Sequence, residues 1–208
     1  MSGTVEKVTA FVTRERNGMS ELLLFRHPTA GIQLPAGTVE EGETPEAAVI
    51  REVYEETGLR GVKIEQSLGC IENELEEKER IVAKTTQVYT NPSLSSNVYK
   101  DELTRGLTVN YHSSHTEFTH VSYVEYDSAP DPTRIRCNIT GWVPSEKLSA
   151  RKTRYFFRLT ALEETAEEWE VKGDRGHVFT LFWAPISALP PLVPPQKRWL
   201  ESAYEEIG

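Results

Sequence analysis

Residues 44–58 predict a helix more strongly than any other segment of the chain, and this helix constrains the fold. Thr44 suits the N-cap position, and Pro45 suits the first helical position. Gly58 is a natural C-terminal stop. We therefore expect a helix from Thr44 to Thr57.

The predicted helix has two faces of different chemistry when successive residues turn by about 100°. One arc of roughly 120° is apolar and holds Ala47, Ile50, Val53 and Tyr54. Another arc, of about 100°, holds the carboxylates of Glu52, Glu55 and Glu56. The apolar face can pack on a sheet, whereas the acidic face needs an explanation of its own.

Two explanations of the acidic face remain open at this point. A solvated surface helix is the common one, but Glu52 forms like-charge pairs with Glu55 and Glu56, which cost about 0.2–0.5 kcal/mol each without a cation. No lysine at the matching spacing relieves these pairs. The other explanation is a site for a hard divalent cation, since Mg²⁺ prefers oxygen ligands and bridges carboxylates to phosphates. Residues 37–60 carry seven Glu and two Arg, a local charge of −5 out of −9 for the whole chain.

The composition of the 208-residue chain excludes several broad classes of protein. Hydrophobic residues make up 38% and charged residues 26%, so a wholly disordered chain is excluded. The formal charge of −9 argues against binding to double-stranded nucleic acid, although a cation could mediate binding of an anionic substrate. Cys70 and Cys137 are too few for a disulfide scaffold, and a reducing cytoplasm is the simplest location.

The longest charge-free run, residues 178–195, is long enough to raise the question of a membrane span. Its second half is broken by prolines at positions 185, 190, 191, 194 and 195. We predict a buried strand followed by a proline-rich turn, and no membrane association.

The stretch that begins at residue 37 resembles the signature motif of a known family. The pattern G-x5-E-x7-R-E-U-x-E-E-x-G-U, where U is a bulky aliphatic residue, is the Nudix box. Every fixed position is matched, by Gly37, Glu43, Arg51, Glu52, Val53, Glu55, Glu56, Gly58 and Leu59. A chance match of this kind in a chain of this length is on the order of one in ten million at ordinary residue usage. The chain is therefore identified as a member of the Nudix family.

The resemblance implies an α/β fold, an α/β/α sandwich with a mixed sheet. It also implies Mg²⁺- or Mn²⁺-dependent hydrolysis of a small nucleotide-derived substrate, a nucleoside diphosphate linked to another moiety. The residues Leu34-Pro35-Ala36 before Gly37 mildly resemble those of ADP-ribose or nucleotide-sugar hydrolases.

The family pattern also implies roles for individual residues. Metal ligands would be Glu52, Glu55, Glu56 and the backbone carbonyl of Gly37. Glu52 and Glu56 would be the catalytic carboxylates, because a carboxylate must take the proton from the attacking water. Support of the site by hydrogen bonds or backbone conformation would come from Glu43, Arg51 and Gly58. Substrate-binding residues are not identified.

The family also uses glutamates from loops outside the box. We expect an acidic loop over residues 163–175, between two core strands. Its candidates for a proton acceptor are Glu163, Glu164, Glu167, Glu168 and Glu170. A solvated loop charge is the more frequent role for each, and the sequence does not choose among them.

The rest of the chain predicts a single domain, residues 1–208, with a β-rich insertion at about 76–150. Strands are expected at 62–71, 107–111, 118–126, 134–143 and 155–162, and residues 80–89 could form a strand or a charged helix. Residues 127–133 read as a turn. The tail is expected to be an amphipathic helix that carries Leu200, Ala203, Tyr204 and Ile207. A homodimer is compatible with an exposed strand edge.

Several other side chains have a functional and a more ordinary interpretation. Trp169 and Tyr155 could stack on a base but are more often core residues, and both cysteines are expected to be small buried side chains. Three arginines could each bind phosphate groups, although exposure to solvent is the more frequent role for such residues. They are Arg154, Arg158 and Arg175. Three histidines are expected to be structural or exposed rather than zinc ligands. They are His112, His115 and His120.

Three other functions remain open. The first is a ligand-binding regulator on the same fold, although such proteins often lose box carboxylates that this chain retains. The second is an RNA 5′-end pyrophosphohydrolase, which the acidic charge disfavours. The third, an isopentenyl diphosphate isomerase, needs a reactive cysteine in its own motif, and neither Cys70 nor Cys137 lies in a similar sequence.

Overall fold

A computed structural model describes residues 3–28, 30–126, 133–173 and 177–207. The chain divides into two compact units. One unit comprises residues 1–7 and 71–153, and the other comprises residues 8–70 and 154–208. That residues 76–150 are an insertion within one family domain stays a prediction.

The larger sheet has the strand order β12-β13-β2-β1-β11-β5, with β3 paired to β2 and β4 paired to β1. Its strands are β1 (Val5–Arg16), β2 (Met19–His27), β3 (Gly31–Gln33), β4 (Ala36–Thr38), β5 (Val62–Glu74), β11 (Arg151–Ala161), β12 (Glu168–Lys172) and β13 (Val178–Pro185). The pairs β1–β2, β2–β3, β2–β13 and β12–β13 are antiparallel. Asn17 and Gly18, with φ of 51° and 74°, form the two-residue turn between β1 and β2.

The two long helices pack on opposite faces of this sheet. Successive side chains of a strand point to opposite faces. Leu23 and Phe25 belong to the core cluster that contains Val53 of α1 (Pro45–Thr57). Leu24 belongs to a second cluster, which contains Ile207 of α2 (Pro194–Ile207). The predicted α/β/α sandwich is therefore confirmed, as is the amphipathic tail helix.

The predicted apolar face of α1 is wrong in part. Its buried residues are Ala48, Val49, Val53 and Thr57. Ile50 and Tyr54 are 41% and 44% exposed, and Ala47 is exposed as well. The buried face includes Thr57 because its hydroxyl donates to the Val53 carbonyl at 2.5 Å, which satisfies the hydroxyl inside the core.

The other unit contains an antiparallel sheet of order β10-β6-β7-β8-β9. Its strands are β6 (Glu79–Val82), β7 (Thr108–His115), β8 (Phe118–Tyr126), β9 (Ile135–Pro144) and β10 (Leu148–Ser149). The predicted strand at 118–126 is confirmed with the same bounds, and those at 107–111 and 134–143 are confirmed with shifted bounds. Of the segment at 80–89, only its first three residues lie in a strand. Ile139 is buried as the alternation predicts, whereas Ile135 is 49% exposed near the start of β9.

The predicted acidic loop at 163–175 is interrupted by strand β12, which pairs with β13. Trp169 and Val171 alternate with glutamates and pack against the core cluster beneath α1, which explains why this acidic segment forms a strand. Asp174 and Arg175 lie outside the described residues, as do residues 127–132 of the predicted turn.

Residues 178–195 contain a strand, as predicted, followed by irregular backbone before α2 begins at Pro194. In the described parts of the chain, no helix combines the length and apolarity that crossing a bilayer requires. The prediction that both cysteines are buried is wrong for Cys70, which is exposed on β5, a strand at one end of the larger sheet; Cys137 is half-buried.

Candidate active site

Helix α1 is fixed at both ends by local hydrogen bonds. The Thr44 side chain accepts from the Ala47 amide at 3.2 Å. Gly58 adopts a left-handed conformation with φ of 78°, and its amide donates to the Tyr54 carbonyl at 2.8 Å. These two caps fix where the helix begins and ends.

The guanidinium of Arg51 joins three carboxylates to the segment that precedes the helix. Its Nε and Nη2 atoms donate to the two oxygens of Glu43 at 3.0 and 2.9 Å. Its Nη1 atom donates to Glu52 Oε1 and to Glu55 Oε2, both at 2.9 Å. A further bond of 3.0 Å reaches the carbonyl of Thr38. An arginine inside the motif, rather than a lysine at helical spacing, therefore relieves the repulsion between the glutamates.

These contacts shift the proton affinities of the groups involved. The hydrogen bond from Arg51 lowers the pKa of Glu43, and the same contact raises the pKa of Arg51. Burial raises the pKa of Glu52, although the neighbouring Arg51 charge opposes this effect. Glu52 is thus the carboxylate of this cluster in which burial outweighs its cationic partner.

Glu52 lies against the backbone of β4, which precedes the helix. Its side chain is only 14% exposed, and Oε1 accepts from the Thr38 amide at 3.1 Å. A Cβ atom placed on Gly37 would lie 1.8 Å from the Glu52 Cδ atom. Only a residue without a side chain permits this close approach between loop and helix.

Glu56 contacts the same short strand at Ala36, two residues before Thr38. Its Oε2 atom accepts from the Ala36 amide at 2.9 Å. The charge of Glu56 also acts on Arg154, raising the pKa of that guanidinium, but burial has the larger effect and lowers the Arg154 pKa to about 10. Arg154 donates from Nη1 to Val8 O and Thr9 Oγ1, both at 2.9 Å, and lies over the ring of Trp199. This arginine is half-buried and is held in place by other residues of the fold.

The donor set fits a hard divalent cation in its chemistry, because it consists of carboxylate and carbonyl oxygens. The absence of a side chain at Gly37 allows the Glu52 carboxylate to lie beside the backbone. The side chain of Glu55 is 51% exposed. Arg51, however, donates a hydrogen bond to one oxygen of Glu52 and to one oxygen of Glu55. In the described ranges, no group of three or more His, Cys, Asp or Glu side chains is arranged to hold a metal ion. The structure thus brings Glu52 and Glu56 to the backbone of residues 36–38, and Arg51 links Glu55 to Glu52.

The glutamates outside the box have partners of their own. Glu163 Oε1 accepts from the amides of Arg60 and Gly61 at 2.6 and 3.0 Å, and these bonds, that of Gly61 foremost, lower the pKa of Glu163. Glu167 forms ion pairs with Arg14 and Arg16.

Glu168 is 3.7 Å from Arg26, and Glu164 and Glu170 are exposed. None of these observations selects a proton acceptor.

The aromatic candidates have core roles. Trp169 and Tyr155 both pack against the core cluster beneath α1, and the indole of Trp169 donates to the Thr57 carbonyl at 2.8 Å. Arg158 donates to the Glu206 carbonyl at 2.9 Å. Arg175 lies outside the described residues.

The three histidines of the other unit form a small aromatic group. The rings of His112 and His120 are 5.4 Å apart, and that of His120 is 4.8 Å from Trp142. The ring of His115 is 6.3 Å from the same tryptophan. The expectation of structural or exposed histidines is consistent with these contacts. The same unit also contains a cavity of about 1100 Å³, and none of the box residues lines it.

The positions that sequence reasoning missed are a buried side chain and backbone amides of the loop. Ala36 and Thr38 contribute amides, for which no residue type gives a signal. Gln196, on α2, contacts the same loop and is only 6% exposed. A buried glutamine in an amphipathic helix is the one sequence signal that could have marked it.

A family model described as NUDIX domain matches residues 4–203 of the chain. An ADP-sugar pyrophosphatase from Mus musculus is 51% identical over 39 residues, which are 18% of this chain and 18% of that protein. A MutT-like protein from Streptomyces ambofaciens is 42% identical over 67 residues, 32% of this chain and 41% of the relative.

The matched regions span less than half the length of these curated relatives. Among solved structures, the Ap4A hydrolase of C. elegans is similar over 99% of this chain and 100% of its own, with 12% identity and a TM-score of 0.46. That structural likeness is too low to add to the argument.

Proposed function

This chain belongs to the Nudix family, and from that membership we propose that it hydrolyses a phosphoanhydride bond in a nucleoside diphosphate linked to another moiety. The observation that carries the proposal is the complete motif, of whose carboxylates Glu52 and Glu56 accept hydrogen bonds from backbone amides of residues 36–38. The proposed substrates are of the ADP-ribose, nucleotide-sugar or dinucleotide type. The short match to an ADP-sugar pyrophosphatase supports this class.

We assign the metal ligands of the proposed enzyme to Glu52, Glu55, Glu56 and the carbonyl of Gly37. A bound Mg²⁺ or Mn²⁺ would neutralise phosphate charge and lower the pKa of water. Arg51 bonds one oxygen of Glu52 and one oxygen of Glu55, so it would compete with a cation for these two carboxylates.

The catalytic carboxylates in this proposal are Glu52 and Glu56. Burial raises the pKa of Glu52, which makes its carboxylate a stronger base than an ordinary exposed glutamate. Glu56 is oriented by the Ala36 amide. Arg51 and Glu43 hold the loop and helix together, which keeps both carboxylates in place.

The activity is tested by incubating the protein with Mg²⁺ or Mn²⁺ and a panel of ADP-ribose, a nucleotide sugar, dinucleoside polyphosphates and nucleoside triphosphates. We expect cleavage of at least one member with addition of water. Glu56→Gln should lower kcat at least about 100-fold. Glu46→Gln, on an exposed residue of the same helix, is the matched control and should change kcat less than about twofold. Absence of cleavage across the panel with either metal contradicts the proposal.

A second candidate is a nucleotide-binding regulator without turnover. The observation that favours it is that Arg51 already neutralises two of the three box carboxylates on α1. Tight binding of a panel member, without cleavage and without sensitivity to Glu56→Gln, would support this candidate against the enzyme. An RNA 5′-end activity would appear as release of pyrophosphate from triphosphorylated RNA.

A cytoplasmic location and a homodimer stay predictions. Cell fractionation tests the first, and light scattering of the purified chain at several concentrations tests the second.

A further inference from the structure

The backbone of residues 32–38 connects α2 to the candidate site and is bonded along its length. At its start, the Val193 amide donates to the Ile32 carbonyl at 3.1 Å. In its middle, the Pro35 carbonyl accepts from the Ala10 amide of β1 at 2.9 Å. We call residues 32–38 the strap, since they link the C-terminal helix to the carboxylates of α1.

The strap is held at Leu34 by the side chain of Gln196. Its Oε1 atom accepts from the Leu34 amide at 2.5 Å, and its Nε2 atom donates to the Leu34 carbonyl at 3.4 Å. Both residues are buried, Gln196 at 6% exposure and Leu34 at 0%. A carboxamide supplies a donor and an acceptor together, so one side chain satisfies both polar groups of a residue that is not in a strand.

The far end of the strap provides the amides that bind the catalytic carboxylates. The Ala36 amide donates to Glu56 and the Thr38 amide donates to Glu52. Between them, Gly37 lies in contact with the Glu52 carboxylate. Only one residue, Pro35, separates Leu34 from Ala36, and its fixed φ makes it a stiff connection.

We infer that Gln196 is a positioning residue of the proposed active site, which acts through the strap on Glu56 and Glu52. It touches no reacting atom. By fixing both polar groups of Leu34, it sets where the Ala36 and Thr38 amides stand relative to the two carboxylates. The catalytic part of this inference rests on the proposed hydrolase activity, whereas its structural part concerns the strap amides alone.

The geometry explains why a small displacement would matter. A shift of about 1 Å in a positioned group can cost roughly 100-fold in rate, even when its origin is far from the chemistry. There is no free space between the Glu52 carboxylate and Gly37, so a shift of the strap toward α1 would displace this carboxylate. The substrate itself does not touch Gln196 in this account, so its binding should change little.

The test replaces Gln196 with Met, which has a similar length but no hydrogen-bonding pair, and with Glu, which keeps an acceptor for the Leu34 amide. We expect Gln196→Met to lower kcat about 10- to 100-fold with KM changed less than about threefold. The dissociation constant for Mn²⁺ alone, measured from its free electron paramagnetic resonance signal, should rise about tenfold. Amide hydrogen exchange at Ala36 and Thr38 should become faster, and Gln196→Glu should be intermediate.

Ile207→Ala is the matched control, because Ile207 is a buried residue of the same helix that lies outside the site. It should lower the melting temperature while leaving kcat, Mn²⁺ affinity and exchange at Ala36 unchanged. If Gln196→Met behaves like this control, the inference is overturned. Should Gln196→Met fail to fold, Gln196→Glu and Gln196→Asn are judged by the same criterion.

The two proposals fail in different ways. Lack of turnover by the unaltered protein contradicts the hydrolase, yet hydrogen exchange at Ala36 and Thr38 still decides whether Gln196 positions the strap. Turnover that is insensitive to every Gln196 variant contradicts the positioning role and leaves the hydrolase in place.

Discussion

The Glu52 carboxylate lies so close to the α-carbon of Gly37 that a methyl group at residue 37 would be 1.9 Å from Glu52 Oε1. The contact joins the loop that ends at β4 to the helix that carries the acidic face. A glycine at this position is therefore required by the space that Glu52 occupies, in addition to any need for backbone freedom.

Gly37→Ala should displace the Glu52 carboxylate, because the new Cβ meets the flexible end of that side chain. We expect kcat/KM to fall about 100-fold or more while the fold is retained. Steady-state kinetics and circular dichroism measure the two effects. Gly61→Ala is the matched control, since its Cβ would only make ordinary contacts at 3.6 Å, and activity within about twofold of the unaltered protein is expected. Equal activity of the two variants would refute the importance of the contact.

Arg51→Lys should separate the loop from the helix, because an ammonium group cannot reproduce the fork that binds Glu43, Glu52 and Thr38. We expect activity to fall about 10- to 100-fold. Titration with Mg²⁺ during turnover should show a weaker apparent affinity. Arg60→Lys, at an exposed residue outside this network, is the control. An unaltered Mg²⁺ dependence of Arg51→Lys would argue that charge alone is needed at this position.

Glu43→Gln should lower stability in a pH-dependent way. Arg51 lowers the pKa of Glu43 in the folded state. The ionised Glu43 therefore stabilises the fold above pH 4.5, its ordinary pKa, and this stabilisation is lost as the pH falls through the lower pKa of the folded protein. We expect the variant to be less stable by about 1.5 kcal/mol at pH 7, since a charged hydrogen bond is replaced by a neutral one. Urea unfolding from pH 3 to 7 measures this. A difference that persists unchanged at pH 3 would contradict the assigned cause.

Trp169→Phe should remove the hydrogen bond from the indole to the Thr57 carbonyl and retain most of the aromatic packing. We expect a loss of about 0.5–1.5 kcal/mol in the free energy of unfolding, with kcat/KM changed less than about threefold. Denaturant unfolding and kinetics provide the two values. A large rise in KM alone would instead support the idea that this ring stacks on a base.

The sequence predicted the bounds of α1 because the signals for them are local. Thr44 and Gly58 act on backbone groups within a few residues of themselves. The buried face was predicted less well, since Ile50 and Tyr54 are apolar yet partly exposed, whereas Thr57 is polar and buried. Burial depends on what the sheet presents to the helix, and that information lies outside the helix.

The acidic loop at 163–175 shows a related limit. Its glutamates suggested a solvated loop, but Trp169 and Val171 alternate with them and dock on the core, so a strand forms. The apolar positions of a short edge strand are too few to outweigh its charges in a sequence-based prediction.

The site was predicted from the motif, but the contacts that hold it were not. A motif gives residue types at fixed spacing, whereas Ala36 and Thr38 act through amides that every residue except proline possesses. Gln196 lies far from the motif in sequence and resembles any other polar residue of a surface helix.

The contact between Gln196 and Leu34 spans 162 positions of the 208-residue chain. During synthesis, which proceeds from the N-terminus, the motif leaves the ribosome long before this partner exists. A nascent chain that already displays every box glutamate therefore lacks the bond from Gln196 until α2 has emerged. Synthesis of α2 is thus a structural requirement for residues 32–38 to reach their final geometry.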